Sequence, residues 1–340
     1  MKTVLHLLVG SLVLQSASSC PSIGHYTAST DTTSSHSNSN RTSATFQKRG
    51  YPVVKSSVWP NAKITYCFAD PNARSKLKSI VPKAWGMWLN AGASAKFEME
   101  EGETTYCTVA NRDSYLLISY NDEHKLVTTP GSIAGLGQDG PSMTLDPSDG
   151  FGTGKGMSNI AHEIGHAWGL LHEHQRPSLW TRDFGGTGQR NVFAFNCQNL
   201  KDYAAIAAKG NDMDRACHYM QSAVTANGGP FSALDMLPDN RGRDSGTADV
   251  VDWDSIMIYG STAGAATANG QLLNTLTKAD GTTYGYNTWP SIGDVNTLNT
   301  LYADELDPKK MSKLKMYWNK ASPKHGLFLS RNKDSSSSCQ

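Results

Sequence analysis

The segment His162-Glu163-Ile164-Gly165-His166-Ala167-Trp168-Gly169-Leu170-Leu171-His172 sets three imidazoles and one carboxylate at spacings that can hold and use a divalent metal ion. On a helix, His162 and His166 lie one turn apart on one face, so each can aim a ring nitrogen at the same point. Glu163 follows the first ligand and can reach a water beside the metal without ligating it, as a general base must. Gly169 has no Cβ and accepts a left-handed backbone cheaply, which lets the chain leave the helix sharply and return His172 as a third ligand. Three protein nitrogens predict one zinc ion with a position left for water, the pattern of catalytic rather than structural zinc. The bland alternative, a buried amphipathic helix with satisfied core histidines, needs every one of these placements to be accidental.

A second segment lies downstream, Asp252-Trp253-Asp254-Ser255-Ile256-Met257-Ile258-Tyr259. Its S-x-M-x-Y pattern resembles the methionine turn that accompanies this zinc motif in metzincin peptidases. With Glu173 directly after the third histidine and Tyr259 closing the turn, the two motifs together resemble the astacin family of zinc metalloendopeptidases. Trp59-Pro60-Asn61-Ala62-Lys63-Ile64-Thr65-Tyr66 is similar to that family's opening strand, and Ser291-Ile292-Gly293-Asp294-Val295 with Leu301-Tyr302 to its closing helix. The likeness is thin between these blocks. Arg176 is followed by Pro177-Ser178-Leu179-Trp180 rather than the family's x-D-R-D, Ile258 stands where a histidine is usual, and the cysteine usual beyond the closing helix is absent. Serralysin-type enzymes share the tyrosine, but no glycine-aspartate calcium repeats follow here.

The resemblance implies hydrolysis of internal peptide bonds in protein or peptide substrates. Glu163 would take a proton from a zinc-activated water and deliver it to the leaving amine. Tyr259 would first ligate zinc and then swing out to stabilise the oxyanion. Met257 would lie under the histidines as an apolar floor. Glu173 would pair with the ammonium of a freed mature N-terminus, since a buried carboxylate needs a partner. His174 and His218 lie off motif spacing and read as bystanders. The reading from another class is a secreted binding or cell-wall protein that keeps the fold without catalysis; the intact Glu163 and ligand set argue against it.

The ends of the chain bear on compartment. Residues 1–19 pair Lys2 with an apolar run, Val4 to Leu14, and small residues Ser16 to Ser19, which reads as a secretory signal peptide too short to span a bilayer. Residues 20–49 are rich in Ser, Thr and Asn and end in Lys48-Arg49, a pair that proprotein convertases cut. This reads as a pro-segment with Gly50 as the mature N-terminus, in a secreted protein with no membrane anchor and a eukaryotic source, a fungus among the candidates. The pro-segment lacks the family's usual zinc-blocking aspartate context; Asp31 or a Cys20 thiolate are the options. Residues 50–308 then form the catalytic domain, with subdomains split near 169, and 309–340 a Lys/Ser-rich tail.

Basic and acidic residues number 31 and 30, a net charge of +1, which gives no electrostatic case for nucleic-acid binding. Six cysteines in a secreted chain suggest disulfides. Cys67 and Cys107 fall in strand-like runs that could lie side by side, and Cys197 and Cys217 flank a helical stretch. Cys339 is left free, tethered to a partner, or bonded to Cys20.

The expected fold is α+β, metzincin-like, in two subdomains. A twisted mixed sheet and the active-site helix, Met157 to Leu170, form the first; the second is mostly irregular, with a helical segment at Lys201–Lys209. Leu77, Ile80, Val81, Ala84, Trp85, Trp88 and Leu89 form one helical stripe in which Pro82 predicts an early-turn position or a kink. Tyr115 to Tyr120 reads as a buried strand. A sheet-edge strand lining the cleft is expected at Ser132 to Leu136 or at Ser142 to Leu145.

Overall fold

The computed structural model describes residues 18–20, 58–132, 140–240 and 250–307, with no account of the side chains of 18–20. The expected signal and pro-segments (apart from the backbone of 18–20), Lys48, Arg49, Gly50, Asp31, Cys339 and the 309–340 tail lie outside the described residues.

The strands are β1 (Ser18–Cys20), β2 (Lys63–Phe68), β3 (Glu98–Glu101), β4 (Leu116–Tyr120), β5 (Leu126–Thr128), β6 (Ser142–Leu145), β7 (Phe193–Phe195), β8 (Thr267–Ala268), β9 (Gln271–Leu272) and β10 (Leu276–Lys278). The helices are α1 (Pro71–Leu77), α2 (Val81–Ala91), α3 (Gly156–Ala167), α4 (Tyr203–Ala207), α5 (Met213–His218), α6 (Met220–Val224), α7 (Ile292–Leu301) and α8 (Ala303–Leu306). One sheet of six strands runs in the order β1-β5-β6-β4-β2-β3. β2, β3, β4 and β6 are mutually parallel, while β5 runs antiparallel to β6 and to β1. The fold is therefore mixed α+β, as expected.

One of the two segments expected at the sheet edge is placed by the structure. Ser142–Leu145 is an inner strand, and the antiparallel strand outside it is β5. Most of the Ser132 to Leu136 alternative lies outside the described residues. The stripe from Leu77 to Leu89 is split between two helices. α1 is capped by Asp70, whose carboxylate accepts from Ala73 N at 2.8 Å, and α2 begins after a break at 78–80 with Pro82 in its first turn. Proline is tolerated there because its missing N–H has no intrahelical partner. Leu89 is 39% exposed and leaves the stripe.

The largest apolar cluster gathers Ile64, Leu77, Trp88, Ile118, Met143, Ile160, Ile164 and Trp168 from sheet and helices, and takes in Met257, Val295 and Leu298 from far down the chain. Each such burial is worth about 1.5–3 kcal/mol per side chain. Indoles fasten α3 in place: Trp88 Nε1 donates to Ala161 O at 2.9 Å and Trp59 Nε1 to Ala167 O at 2.7 Å. Tyr302 Oη donates to Trp168 O at 3.1 Å and accepts from Trp59 N, so the chain after α7 closes over the end of α3. Beyond 169 two further clusters form, around Phe231, Met236 and Leu237 and around Trp180, Phe193 and Leu276, with short helices and two-stranded ribbons.

Both expected disulfides form, Cys67–Cys107 and Cys197–Cys217. Cys107 sits in a turn region rather than a strand.

Candidate metal centre

α3 ends earlier than the motif suggested, at Ala167, and Gly169 follows with φ 98° in the left-handed region. That single inversion brings His172 back onto the face presented by His162 and His166. The Nε2 atoms of His162 and His172 lie 3.2 Å apart, and those of His166 and His172 3.0 Å apart. All three rings are at least 95% buried, at 5%, 1% and 1% exposure.

The outer nitrogens decide what the inner ones can be. His162 Nδ1 faces Ile256 O at 2.7 Å, His166 Nδ1 faces Leu170 O at 2.8 Å, and His172 Nδ1 faces Gln175 Oε1 at 2.8 Å. Each acceptor requires an N–H on Nδ1, so a neutral ring presents a lone pair on Nε2. Burial reinforces the neutral state, pushing His162 down to about 4 and His172 well below its usual value. Three lone pairs converging at such range repel one another, and a cation between them turns repulsion into binding. A tetrahedral zinc with Zn–N of about 2.0–2.1 Å spaces its nitrogens by about 3.3 Å, close to the separations seen. The donor set therefore fits zinc. Among the described residues these three are the group able to hold a metal.

Glu163 is fully buried on α3, beside His162. Met257 packs against α3 where the helix has no side chain: a Cβ on Gly165 would meet Met257 Sδ at 2.5 Å and Trp88 Cζ2 at 3.0 Å. The same turn receives Glu173 N on Met257 O at 3.0 Å. It is held from behind by Asp294, which accepts from Ser255 Oγ at 2.5 Å and Ile256 N at 2.8 Å while completing a capping box with Ser291 at the start of α7. Tyr259 lies with its ring centroid 4.2 Å from His172 and 6.1 Å from His162.

Glu173 is fully buried. Its Oε1 accepts from Asp252 N at 3.1 Å and lies 3.3 Å from Arg176 Nη1, while Oε2 has no hydrogen-bond partner among the described residues. Burial pushes its carboxyl up to about 8, against the opposing charge of Arg176.

The two histidines set aside from the motif have different fates. His218 stays remote, on α5 against Phe184. His174 joins the site: its ring stacks 5.2 Å from His172 and lies tilted 4.7 Å from Tyr259, and Nε2 faces Asp235 O at 2.8 Å. Gln175 was not singled out by the sequence either. The one available signal was its i+3 spacing from His172, the period of a 3-10 turn.

No family model matches the chain. Among curated proteins it is similar to nematocyst expressed protein 6 of Nematostella vectensis, 23% identical over 203 residues, 56% of this chain and 60% of that protein. The chain thus spans about three fifths of that relative's length. Among solved structures it is similar to high choriolytic enzyme 1, a hatching-enzyme zinc-protease from the medaka fish Oryzias latipes. That match has TM-score 0.45 and 17% identity, and covers 73% of this chain and 96% of the other. Myroilysin gives TM-score 0.42 at 21% identity over 74% of this chain and 97% of its own.

Proposed function

We propose that this chain is a secreted, zinc-dependent metalloendopeptidase of astacin-like type. The observation that carries the reading is the convergence of three imidazole Nε2 atoms, each with Nδ1 held by an acceptor, next to the buried Glu163. His162, His166 and His172 would hold the metal. Zinc bound there supplies Lewis acidity to a scissile carbonyl and acidifies a water molecule.

The remaining work belongs to the protein. Glu163 Oε accepts a proton from the attacking water and later passes it to the leaving amine nitrogen. Tyr259 Oη donates a hydrogen bond to the developing oxyanion from beside His172. Met257 and Gly165 keep the turn and helix in contact, which fixes the ring of His162 through Ile256 O. An extended substrate adds along β5, the strand whose continuation binds α3 through Gly131 N on His166 O at 2.9 Å.

Maturation fits the same scheme. A cut after residue 19 divides β1, so the processed chain presents β5 as its sheet edge. Cleavage after Lys48-Arg49 by a proprotein convertase frees Gly50, whose ammonium is a suitable partner for Glu173 Oε2 in a domain spanning 50–308. Two disulfides and the signal-like leader support an extracellular location, and no described helix is long and apolar enough to cross a membrane.

The deciding experiment compares processed, zinc-loaded wild type with Glu163→Gln on a denatured protein substrate. Wild type is expected to cut at internal bonds, and the variant to retain one zinc per chain while losing at least about a hundredfold in rate. Zinc-loaded wild type with a confirmed Gly50 N-terminus and no cleavage would instead favour a silent binding protein.

A further inference from the structure

Behind the three histidines lies an amide for which the zinc motif makes no provision. Gln175 is 4% exposed. Glu173–Gln175 is a single 3-10 turn in which Gln175 N donates to His172 O at 3.1 Å. Side chains three apart eclipse in such a turn, which folds Gln175 back onto His172. Its Nε2 donates to Leu234 O and Leu237 O, each at 3.0 Å, so both amide hydrogens are committed. Only Oε1 is left to meet His172 Nδ1, at 2.8 Å. A flipped amide would set N–H against N–H and oxygen against two carbonyls, so the orientation is fixed by chemistry. The neighbouring chain is tied to the same segment, by the main-chain bond of Asp239 N to Gln175 O at 2.8 Å and by the His174 ring, whose Nε2 meets Asp235 O.

We propose that Gln175 is a positioning residue for the third metal ligand: its amide fixes His172 with the proton on Nδ1 and the Nε2 lone pair facing the metal, and locks that ring to the turn at 232–237. This rests on the metal-site reading above. The corresponding acceptors for His162 and His166 are main-chain carbonyls, which no substitution removes. Among these three acceptors, that of His172 is the side chain. The amide also joins ligand and wall, because the hydrogens that orient its oxygen are spent on residues 59 and 62 positions away.

The test reads zinc affinity by chelator competition on metal-free protein, together with the visible spectrum of the cobalt(II)-loaded form. Gln175→Met is expected to weaken zinc about 10–100-fold and to shift the cobalt spectrum. Gln175→Glu keeps an acceptor for His172, so its zinc affinity stays within about threefold of wild type even as the lost bonds to Leu234 and Leu237 lower its thermal stability. Its acceptor is charged, so the His172 Nδ1–H proton resonance moves downfield in the zinc-loaded form. Unchanged zinc affinity and cobalt spectrum in Gln175→Met overturn the proposal. If that variant does not fold, an unmoved Nδ1–H resonance in Gln175→Glu overturns it. Peptide hydrolysis is not read. Wild type that fails to hold zinc sinks the metal-site reading with it, whereas wild type that binds alongside an unaffected Gln175→Met sinks the amide's role alone.

Discussion

Tyr259 lies flank-on to His172 and His174, with its backbone N–H directed at His174 Nδ1 at 3.4 Å. The ring thus packs at a tilt against both imidazoles, and its hydroxyl is the part whose loss can be isolated. In Tyr259→Phe, kcat is expected to fall about a hundredfold or more while KM and zinc affinity change less than about threefold, because only transition-state stabilisation is removed. Steady-state kinetics on a fluorogenic peptide, with zinc titration alongside, checks the split. An equal loss in KM would mean the hydroxyl serves substrate binding instead. The convergence of the three histidines beside Glu163 was legible at this scale because a helix and one glycine turn place them, and both are local in sequence. Gln175 and His174 were not, because their partners, Leu234, Asp235 and Leu237, lie about sixty residues on and reach them only by tertiary folding.

Between elements, the approach to α3 depends on a small polar knot. Asp146, just after β6, accepts from Ser148 Oγ at 2.6 Å, from Ser148 N at 2.9 Å, and from His124 N at 3.0 Å on the loop after β4. Burial pushes the Asp146 carboxyl up, but the bonds from Ser148 and His124 and the His124 charge outweigh it and hold the group below its usual 3.8. A carboxylate with a depressed folded pKa stabilises the fold above its unfolded value, and that contribution is lost as pH falls through the folded value. The expected result is that Asp146→Asn lowers stability at neutral pH and flattens the acid loss below about pH 4, seen by urea unfolding of metal-free protein across pH. A variant with an unchanged pH slope would show the knot to be inert. The strand pairing here was hard to foresee. Three residues, Leu126–Thr128, are too few to show an alternating pattern, so β5 went unseen, and the apolar period running through 78–80 concealed the break between α1 and α2.

For the molecule as a whole, the cluster around the sheet is dense in aromatic side chains, whereas the clusters around Phe231 and Trp180 rest on short elements and, among the described residues, one cross-link. Cys197–Cys217 closes a separation of 20 residues around α4 and α5. Chain-entropy reasoning puts its removal, as Cys197→Ser with Cys217→Ser, at about 3 kcal/mol, measurable as a shift in the urea midpoint of metal-free protein. A loss well under 1 kcal/mol would mean that the unfolded chain stays compact without it. The composition and motifs made the fold class legible, yet the return of α7 to the sheet-centred cluster follows from Val295, Leu298 and Asp294 finding partners across the structure, which no local pattern encodes.

The bond between His162 and Ile256 joins positions 94 apart. A ribosome adding about 5–20 residues per second completes the imidazole triplet early and delivers the carbonyl that orients His162 about 5–20 s after that histidine. In that interval His166 and His172 already have their acceptors within four residues, whereas His162 waits for its own, and the arrival of the methionine turn supplies it.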